Sequence, residues 1–163
     1  MLHHGSIRTQ DIHRAIAFYQ HLGFTVEERF TTGMTLACWM LGWGARLELI
    51  QVPDPAPPAD AFADQHYTGY YHLSFDLTDQ IDSLPHWLAE QRQAFAAGAQ
   101  DAEDAGDQLQ LQVLLEPQQQ MIGDRLYEVT FIADADGLPL EFLRRLGPVG
   151  PAASPERPGE GLG

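Results

Sequence analysis

The sequence contains no lysine, and each of its nine basic residues is an arginine. This absence excludes a lysine Schiff base and the lysine of a phosphate-binding P-loop. Acidic residues number 23, which gives a formal net charge of −14. Because nucleic acids and anionic membrane surfaces are bound through Lys and Arg, we expect neither as a partner. Any bound anion must be held by arginine, backbone amides or a metal.

Cysteine and long apolar runs are also scarce. The one cysteine, Cys38, cannot form an intrachain disulfide, which agrees with a reducing compartment. No apolar run approaches the roughly 20 residues that a membrane helix needs. The first residues, Met1 to His4, lack the basic and apolar regions of a signal peptide. We therefore expect a cytoplasmic protein.

Turn residues divide the chain into two halves with the same order of predicted elements. Hydrophobic spacing in the first half predicts a strand over 3–9, a helix from Asp11 to about His21, and strands over 24–30, 35–41 and 45–52. In the second half it predicts a strand over 71–77, a helix over 81–95, and strands over 109–115, 125–132 and 138–143. The order β-α-β-β-β thus occurs twice, which indicates an internal repeat.

Composition sets the expected boundaries of these halves. Residues 1–52 form a first βαβββ module, and residues 53–68 form a linker that begins with four prolines in seven residues. Residues 69–146 form a second βαβββ module with an inserted acidic loop near 96–107. From 147 to 163 proline and glycine dominate without an apolar pattern, so we expect a disordered tail.

The repeat is visible at single residues. His4 precedes Asp11 by seven positions, and His72 precedes Asp79 by the same seven. Each half also carries a glutamate four residues after a turn glycine, namely Glu48 after Gly44 and Glu141 after Gly137. A histidine on the first strand and a glutamate on the last strand, placed equivalently in both halves, indicate a shared role.

These four side chains have the chemistry of a metal site. Strand alternation places His4 and Glu48 on the polar faces of their strands, and leaves Leu47 and Leu49 on the apolar face. Two imidazoles and two carboxylates suit Zn, Ni, Co, Mn or Fe(II), and a six-coordinate ion would keep two positions for water or substrate. By the same alternation we expect His3 to face away from the site.

Several stretches resemble the vicinal oxygen chelate superfamily, which includes glyoxalase I, methylmalonyl-CoA epimerase, extradiol dioxygenases and bleomycin or fosfomycin resistance proteins. They are His4 to Phe24, Leu47-Glu48-Leu49, His72 to Asp76, and Asp134 to Glu141. The resemblance implies an α+β fold in which two βαβββ modules form an eight-stranded, incompletely closed barrel, commonly in a homodimer.

Among these families the sequence is most similar to glyoxalase I. That likeness implies that His4, Glu48, His72 and Glu141 bind one divalent metal ion per site, with Zn, Ni or Co favoured over Mn or Fe. It further implies that Glu141 is the catalytic base and that Arg8 contacts the substrate, a small molecule such as a glutathione adduct. One departure is Val52, which stands where glyoxalase I has an asparagine that contacts glutathione.

Three functions remain open at this point. The leading one is a metal-dependent lyase or isomerase that moves a proton on a chelated molecule with vicinal oxygens. An epimerase or Fe(II) extradiol dioxygenase could use the same scaffold. A metal-free binding protein of the bleomycin-resistance kind is the alternative from another class. The presence of all four ligand-type residues argues against it, whereas Val52 keeps it open because this residue weakens the closest enzyme match.

Overall fold

The computed structural model describes residues 2–101 and 109–148. The first module consists of β1 (Gly5–Thr9), α1 (Ile12–His21), β2 (Thr25–Thr32), β3 (Thr35–Gly42) and β4 (Ala45–Gln51). The second consists of β5 (Leu73–Asp76), α2 (Leu84–Asp101), β6 (Gln112–Ile122), β7 (Arg125–Ala133) and β8 (Pro139–Pro148). The predicted β-α-β-β-β order is therefore confirmed in both halves.

The eight strands lie in two four-stranded sheets of identical topology. The strand orders are β1-β4-β3-β2 and β5-β8-β7-β6. In each module the first strand pairs in parallel with the last, and the remaining pairs are antiparallel. Over the described ranges the sheets do not join into a closed barrel. The α+β class with two modules and incomplete closure is confirmed.

One hydrophobic core serves both modules, because the apolar faces of the two sheets and both helices pack together. Leu47 and Leu49 on β4 are almost fully buried, as the alternation predicts. Three aromatic pairs cross from one module to the other with ring centroids 5.3, 5.5 and 6.5 Å apart: Phe18–Phe95, Phe24–Phe75 and Trp43–Trp87. This shared core fixes the polar face of one sheet relative to the other.

Helix α1 begins and ends where the sequence predicts. The Asp11 carboxylate accepts hydrogen bonds from the backbone N–H groups of His13 and Arg14 at 2.9 and 3.1 Å, which satisfies donors that have no partner within the helix. After Leu22, Gly23 adopts a φ of 92°, a left-handed conformation that glycine reaches without strain.

Helix α2 starts three residues later than predicted, at Leu84 rather than Ile81. The hydroxyl of Ser83 accepts a hydrogen bond from the His86 N–H at 3.3 Å and so caps the helix. Pro85 follows in the first turn, where its missing N–H costs no hydrogen bond. The N–H of Leu84 instead binds a distant carboxylate, Glu128 Oε2, at 3.1 Å.

The same helix runs to Asp101, past its predicted end at Phe95. Residues 96–101 are therefore helical and do not belong to the acidic loop expected near 96–107, because alanines at this point favour the helix. The rest of that expected loop, residues 102–107, lies outside the described residues.

Strands β6 and β8 are longer than predicted. Strand β8 continues to Pro148 because β7 supplies pairing partners as far as Arg125. Residues 147–148 are consequently strand rather than the start of the expected tail, and residues 149–163 lie outside the described part of the chain. No helix among the described residues is both long and apolar enough to cross a membrane. The cytoplasmic location stays a prediction.

Candidate metal centre

His4 and Glu48 form the first of two His–Glu pairs. Strand β1 pairs in parallel with β4 so that Ser6 lies opposite Glu48, and His4 immediately precedes β1. His4 Nε2 lies 3.4 Å from Glu48 Oε2, and the two side chains are 28% and 15% exposed. The parallel pairing of first and last strands thus brings together residues 44 positions apart in the sequence.

Two further donors hold the Glu48 carboxylate. The Ser6 hydroxyl donates to Oε2 at 2.8 Å, and the Trp39 indole N–H donates to Oε1 at 3.1 Å. Partial burial by itself raises the pKa of Glu48, but the hydrogen bonds from Ser6 and Trp39, together with the charge of His4, hold this pKa below its ordinary value. Glu48 is therefore an ionised carboxylate with a fixed orientation.

The Trp39 indole is itself held by its neighbours. Its ring meets Phe30 edge-on at a centroid distance of 5.0 Å, and the Arg46 guanidinium lies 5.6 Å from the ring centroid. Arg46 is fixed in turn by Glu27, which accepts two hydrogen bonds from it at 2.6 and 2.7 Å. The indole N–H is thereby aimed at Glu48.

The expectation that His3 faces away from the site is wrong. His3 Nδ1 lies 2.8 Å from His4 Nδ1, and His3 Nε2 lies 3.0 Å from an Arg46 nitrogen. His3 and His4 both precede the first residue of β1, so strand alternation does not govern them. His3 is part of the surroundings of the first pair.

His72 and Glu141 form the second pair. Strand β5 pairs in parallel with β8 so that Ser74 lies opposite Glu141. His72 Nε2 lies 3.3 Å from Glu141 Oε2, and the side chains are 25% and 13% exposed. In contrast to Glu48, the Glu141 carboxylate accepts no hydrogen bond from a serine or an indole within the described ranges. The two pairs have the same backbone setting but different partners.

Aromatic rings surround the second pair. Tyr71 and Phe131 lie 4.5 and 5.1 Å from the His72 ring, and Phe62 lies 5.3 Å from Phe131. Nδ1 of His72 is buried and has no hydrogen-bond partner in the described part of the chain. Most buried polar atoms in folded proteins have a hydrogen-bond partner, so this nitrogen is an exception within the second pair.

The structure does not bring the four predicted ligands to one point within a single chain. Among residues 2–101 and 109–148, no three His, Cys, Asp or Glu side chains are close enough to hold a metal ion together. Each pair nevertheless supplies one imidazole nitrogen and one carboxylate, which is half of a mixed N/O set. The residues therefore fit a divalent cation as two half-sites.

Arg8 lies on β1 beyond Ser6 and contributes to an open pocket of about 570 Å³. The same pocket is lined by Val52, by the carboxylates of Asp54 and Asp136, and by three prolines of the linker, and its lining includes none of the four predicted metal ligands. Val52 is held there by a backbone hydrogen bond from its N–H to the Thr9 carbonyl at 3.0 Å. The predicted substrate-contacting arginine and the unexpected valine thus face the same space.

Sequence comparison identifies the family. The model described as the glyoxalase/bleomycin resistance protein/dioxygenase superfamily matches residues 3–109, which is more than half of the chain. The chain belongs to this superfamily, as its motifs predict. A search of the curated proteins gave no match.

Solved structures agree with this assignment at the level of the fold. A glyoxalase family protein from Enterococcus faecalis is 20% identical with a TM-score of 0.62, and the match covers 88% of this chain and 97% of that protein. A glyoxylase/bleomycin resistance protein/dioxygenase domain from Frankia sp. EAN1pec is 18% identical with a TM-score of 0.57, over 89% and 97% of the two chains. A glyoxalase I variant from Zea mays is 16% identical with a TM-score of 0.59, over 88% of this chain and 44% of that one.

Proposed function

We propose that the protein is a metal-dependent lyase or isomerase of the glyoxalase type, which transfers a proton on a small molecule with vicinal oxygens. The observation that carries this proposal is the duplication of the His–Glu pair at equivalent strand positions. Duplicate half-sites on one chain are what a symmetric dimer needs to build two complete sites. Superfamily membership adds support, because the family name covers glyoxalases.

The complete site in this proposal is shared between two copies of the chain. In a dimer with twofold symmetry, a contact between the first module of one copy and the second module of the other occurs twice. His4 and Glu48 of one copy would then face His72 and Glu141 of its partner. This arrangement accounts for two pairs that do not meet within one chain.

A divalent cation held by these four residues would polarise the vicinal oxygens of a substrate and so acidify a proton on the adjacent carbon. Glu141 is the residue that removes this proton and returns it to the neighbouring carbon, because no serine or indole donor ties down its carboxylate within the described ranges. Phe131, which is buried beside His72, limits the access of water to the reacting atoms and so protects the transferred proton from exchange with solvent.

Arg8 is the group that binds an anionic part of the substrate, since it faces an open pocket on the same strand as Ser6. Val52 lines that pocket where an asparagine would offer hydrogen bonds to glutathione. The chain also has a net charge of −14, which does not favour the approach of an anionic thiol. A substrate other than the glutathione adduct is consistent with both features.

The test combines metal analysis with turnover. The purified protein is stripped with chelator, titrated with Ni²⁺, Zn²⁺ or Co²⁺, and assayed with methylglyoxal and glutathione and then with other α-oxo aldehydes and thiols. We expect one bound cation for each complete site, which consists of one first pair and one second pair. We also expect that isomerisation of a substrate requires this cation. If no thioester product forms from methylglyoxal and glutathione, the glutathione adduct is excluded as the substrate.

The same measurements separate the alternatives. Iron with oxygen consumption would indicate a dioxygenase instead. A protein that takes up no cation, yet binds a small molecule, would be a sequestering protein, the alternative that Val52 keeps open. Either result would contradict the proposed isomerase.

A further inference from the structure

We infer that Trp39 and Ser6 are positioning residues that make Glu48 a permanent metal ligand, and that the lack of equivalent donors at Glu141 leaves this second carboxylate free to move. The inference rests on the proposed function and deepens it, because it assigns different roles to two glutamates at equivalent positions. It is carried by hydrogen bonds within one chain, which do not depend on the dimer.

Strand register makes the comparison between the two modules direct. On β3, Trp39 lies opposite Glu48 of β4, whereas on β7, Phe131 lies opposite Glu141 of β8. Trp39 and Phe131 therefore occupy the same position in the repeat. One ring carries an N–H donor and the other has none, so the duplication has preserved the ring but not the hydrogen bond.

The serines that pair with the glutamates diverge in the same way. Ser6 lies opposite Glu48 and donates to it at 2.8 Å. Ser74 lies opposite Glu141 in the matching register, but no hydrogen bond joins the two side chains. Glu48 thus accepts hydrogen bonds from two side chains of its own module. Within residues 2–101 and 109–148, Glu141 accepts no hydrogen bond from Ser74 or Phe131, the residues at the equivalent positions.

The orientation of the Trp39 indole is fixed before any ligand arrives. Phe30 packs against the edge of the ring, and Arg46 lies against it while Glu27 holds the guanidinium with two hydrogen bonds. A donor held by packing in this way orients a ligating carboxylate at little entropic cost. Removing it should weaken the metal site even though Trp39 does not touch the ion.

The first experiment uses the metal-free protein and follows the three indole N–H signals by NMR. Trp39→Phe identifies the Trp39 signal, and Glu48→Ala should move that signal upfield and accelerate its exchange with water. Glu141→Ala is the matched control and should leave it unchanged. If the chemical shift and exchange rate of the Trp39 indole N–H are the same in Glu48→Ala as in wild type, the inference is overturned. This outcome does not depend on whether the protein binds a metal.

The second experiment measures affinity for Co²⁺ and the visible spectrum of the bound ion. Trp39→Phe and Ser6→Ala should each weaken binding by about 10- to 100-fold and alter the spectrum, since the loss of groups that orient ligands costs this much. Ser6→Thr keeps the hydroxyl and should retain the affinity. Trp43→Phe makes the same indole-to-phenyl change where the indole N–H donates to the Leu22 carbonyl and not to Glu48, and it should leave the Co²⁺ affinity and spectrum unchanged.

Unchanged affinity and spectrum in Trp39→Phe and Ser6→Ala would show that neither residue positions the ligand, and the inference would fail while the proposed function stands. Wild-type protein that binds no cation would instead contradict the proposed function. In that case the indole NMR result alone decides whether the anchoring of Glu48 is real.

Discussion

Glu48 and Glu141 occupy the same position in the two modules, but their neighbours give them different chemistry. Glu48 accepts hydrogen bonds from Ser6 and Trp39, and its Oε2 lies 3.4 Å from His4 Nε2. Glu141 has His72 on one side and the hydrocarbon ring of Phe131 on another. A carboxylate that must leave a cation and accept a proton needs the second kind of surroundings.

This difference predicts opposite effects of the same substitution. Glu141→Gln should lower kcat by roughly 10²- to 10⁴-fold, the usual contribution of a general base, with little loss of metal affinity. Glu48→Gln should weaken metal binding more than the roughly 10- to 100-fold expected for a residue that only orients a ligand. Parallel metal titrations and turnover assays measure both, and full turnover in Glu141→Gln would remove it as the base.

The sequence predicts the four ligand-type residues but not what surrounds them. The repeat identifies all four residues, because each histidine lies seven positions before an aspartate and each glutamate lies four positions after a turn glycine. Trp39 could have been found as well, by counting outward from the turn that joins β3 to β4, since Gly42 pairs with Ala45 and Trp39 then falls opposite Glu48. His3 could not, because its position depends on Arg46 rather than on strand alternation.

At the scale of elements, the turn between β7 and β8 is tied to helix α1 of the other module. Asp134 is buried on this turn and accepts hydrogen bonds from the N–H groups of Asp136 and Leu138 at 2.9 and 2.8 Å. The buried hydroxyl of Tyr19 on α1 donates to the other carboxylate oxygen of Asp134, Oδ2, at 3.0 Å. Burial raises the pKa of Tyr19 well above its ordinary value, so Tyr19 remains the donor.

Burial raises the pKa of Asp134 from 3.8 to about 6, even though its three hydrogen bonds act in the opposite direction. The folded protein therefore holds a proton here that the unfolded chain has already lost, and folding stability falls as the pH rises from about 4 to about 6. Two units of pKa correspond to about 3 kcal/mol. Above pH 6 both states are ionised and the loss is complete.

Asp134→Asn should remove this loss, because asparagine keeps an acceptor for the two backbone N–H groups without a titrating charge. The free energy of unfolding of the variant, relative to wild type, should rise by about 3 kcal/mol between pH 4 and pH 7. Urea denaturation at a series of pH values measures it. Asp124→Asn, at an exposed position on another turn, is the control. If the free energy of unfolding relative to wild type does not change with pH in either variant, the result would contradict this assignment of the pH dependence to Asp134.

The apolar face of β4 anchors in the core the strand that carries Glu48. Leu49 is fully buried beside it in the core. Leu49→Ala should lower the free energy of unfolding by about 2–5 kcal/mol, because it removes buried methyl groups and leaves a cavity. The control is Leu36→Ala on the neighbouring strand, where the leucine is 44% exposed and the cost should be small. Chemical denaturation of both variants compares them, and equal costs would contradict this description of the core.

At the scale of the whole molecule, the helices and strands of both modules follow from local patterns, whereas the separation of the two His–Glu pairs within one chain does not. Spacing within a module sets the pairing of β1 with β4 and of β5 with β8. How two modules or two copies come together is set by surfaces distant in sequence. The sequence therefore predicts the four ligand-type residues, but not whether one chain or two would bring them to a single ion.

The central claim is that each metal site combines the first pair of one copy with the second pair of another. His4→Ala and His72→Ala should each abolish tight cation binding in their own homodimers, since both sites then lack an imidazole. In a mixed dimer, purified through two different affinity tags, one site carries both defects and the other carries none. We predict that the mixed dimer binds one Co²⁺ with wild-type affinity, and a mixed dimer that binds none would contradict the claim.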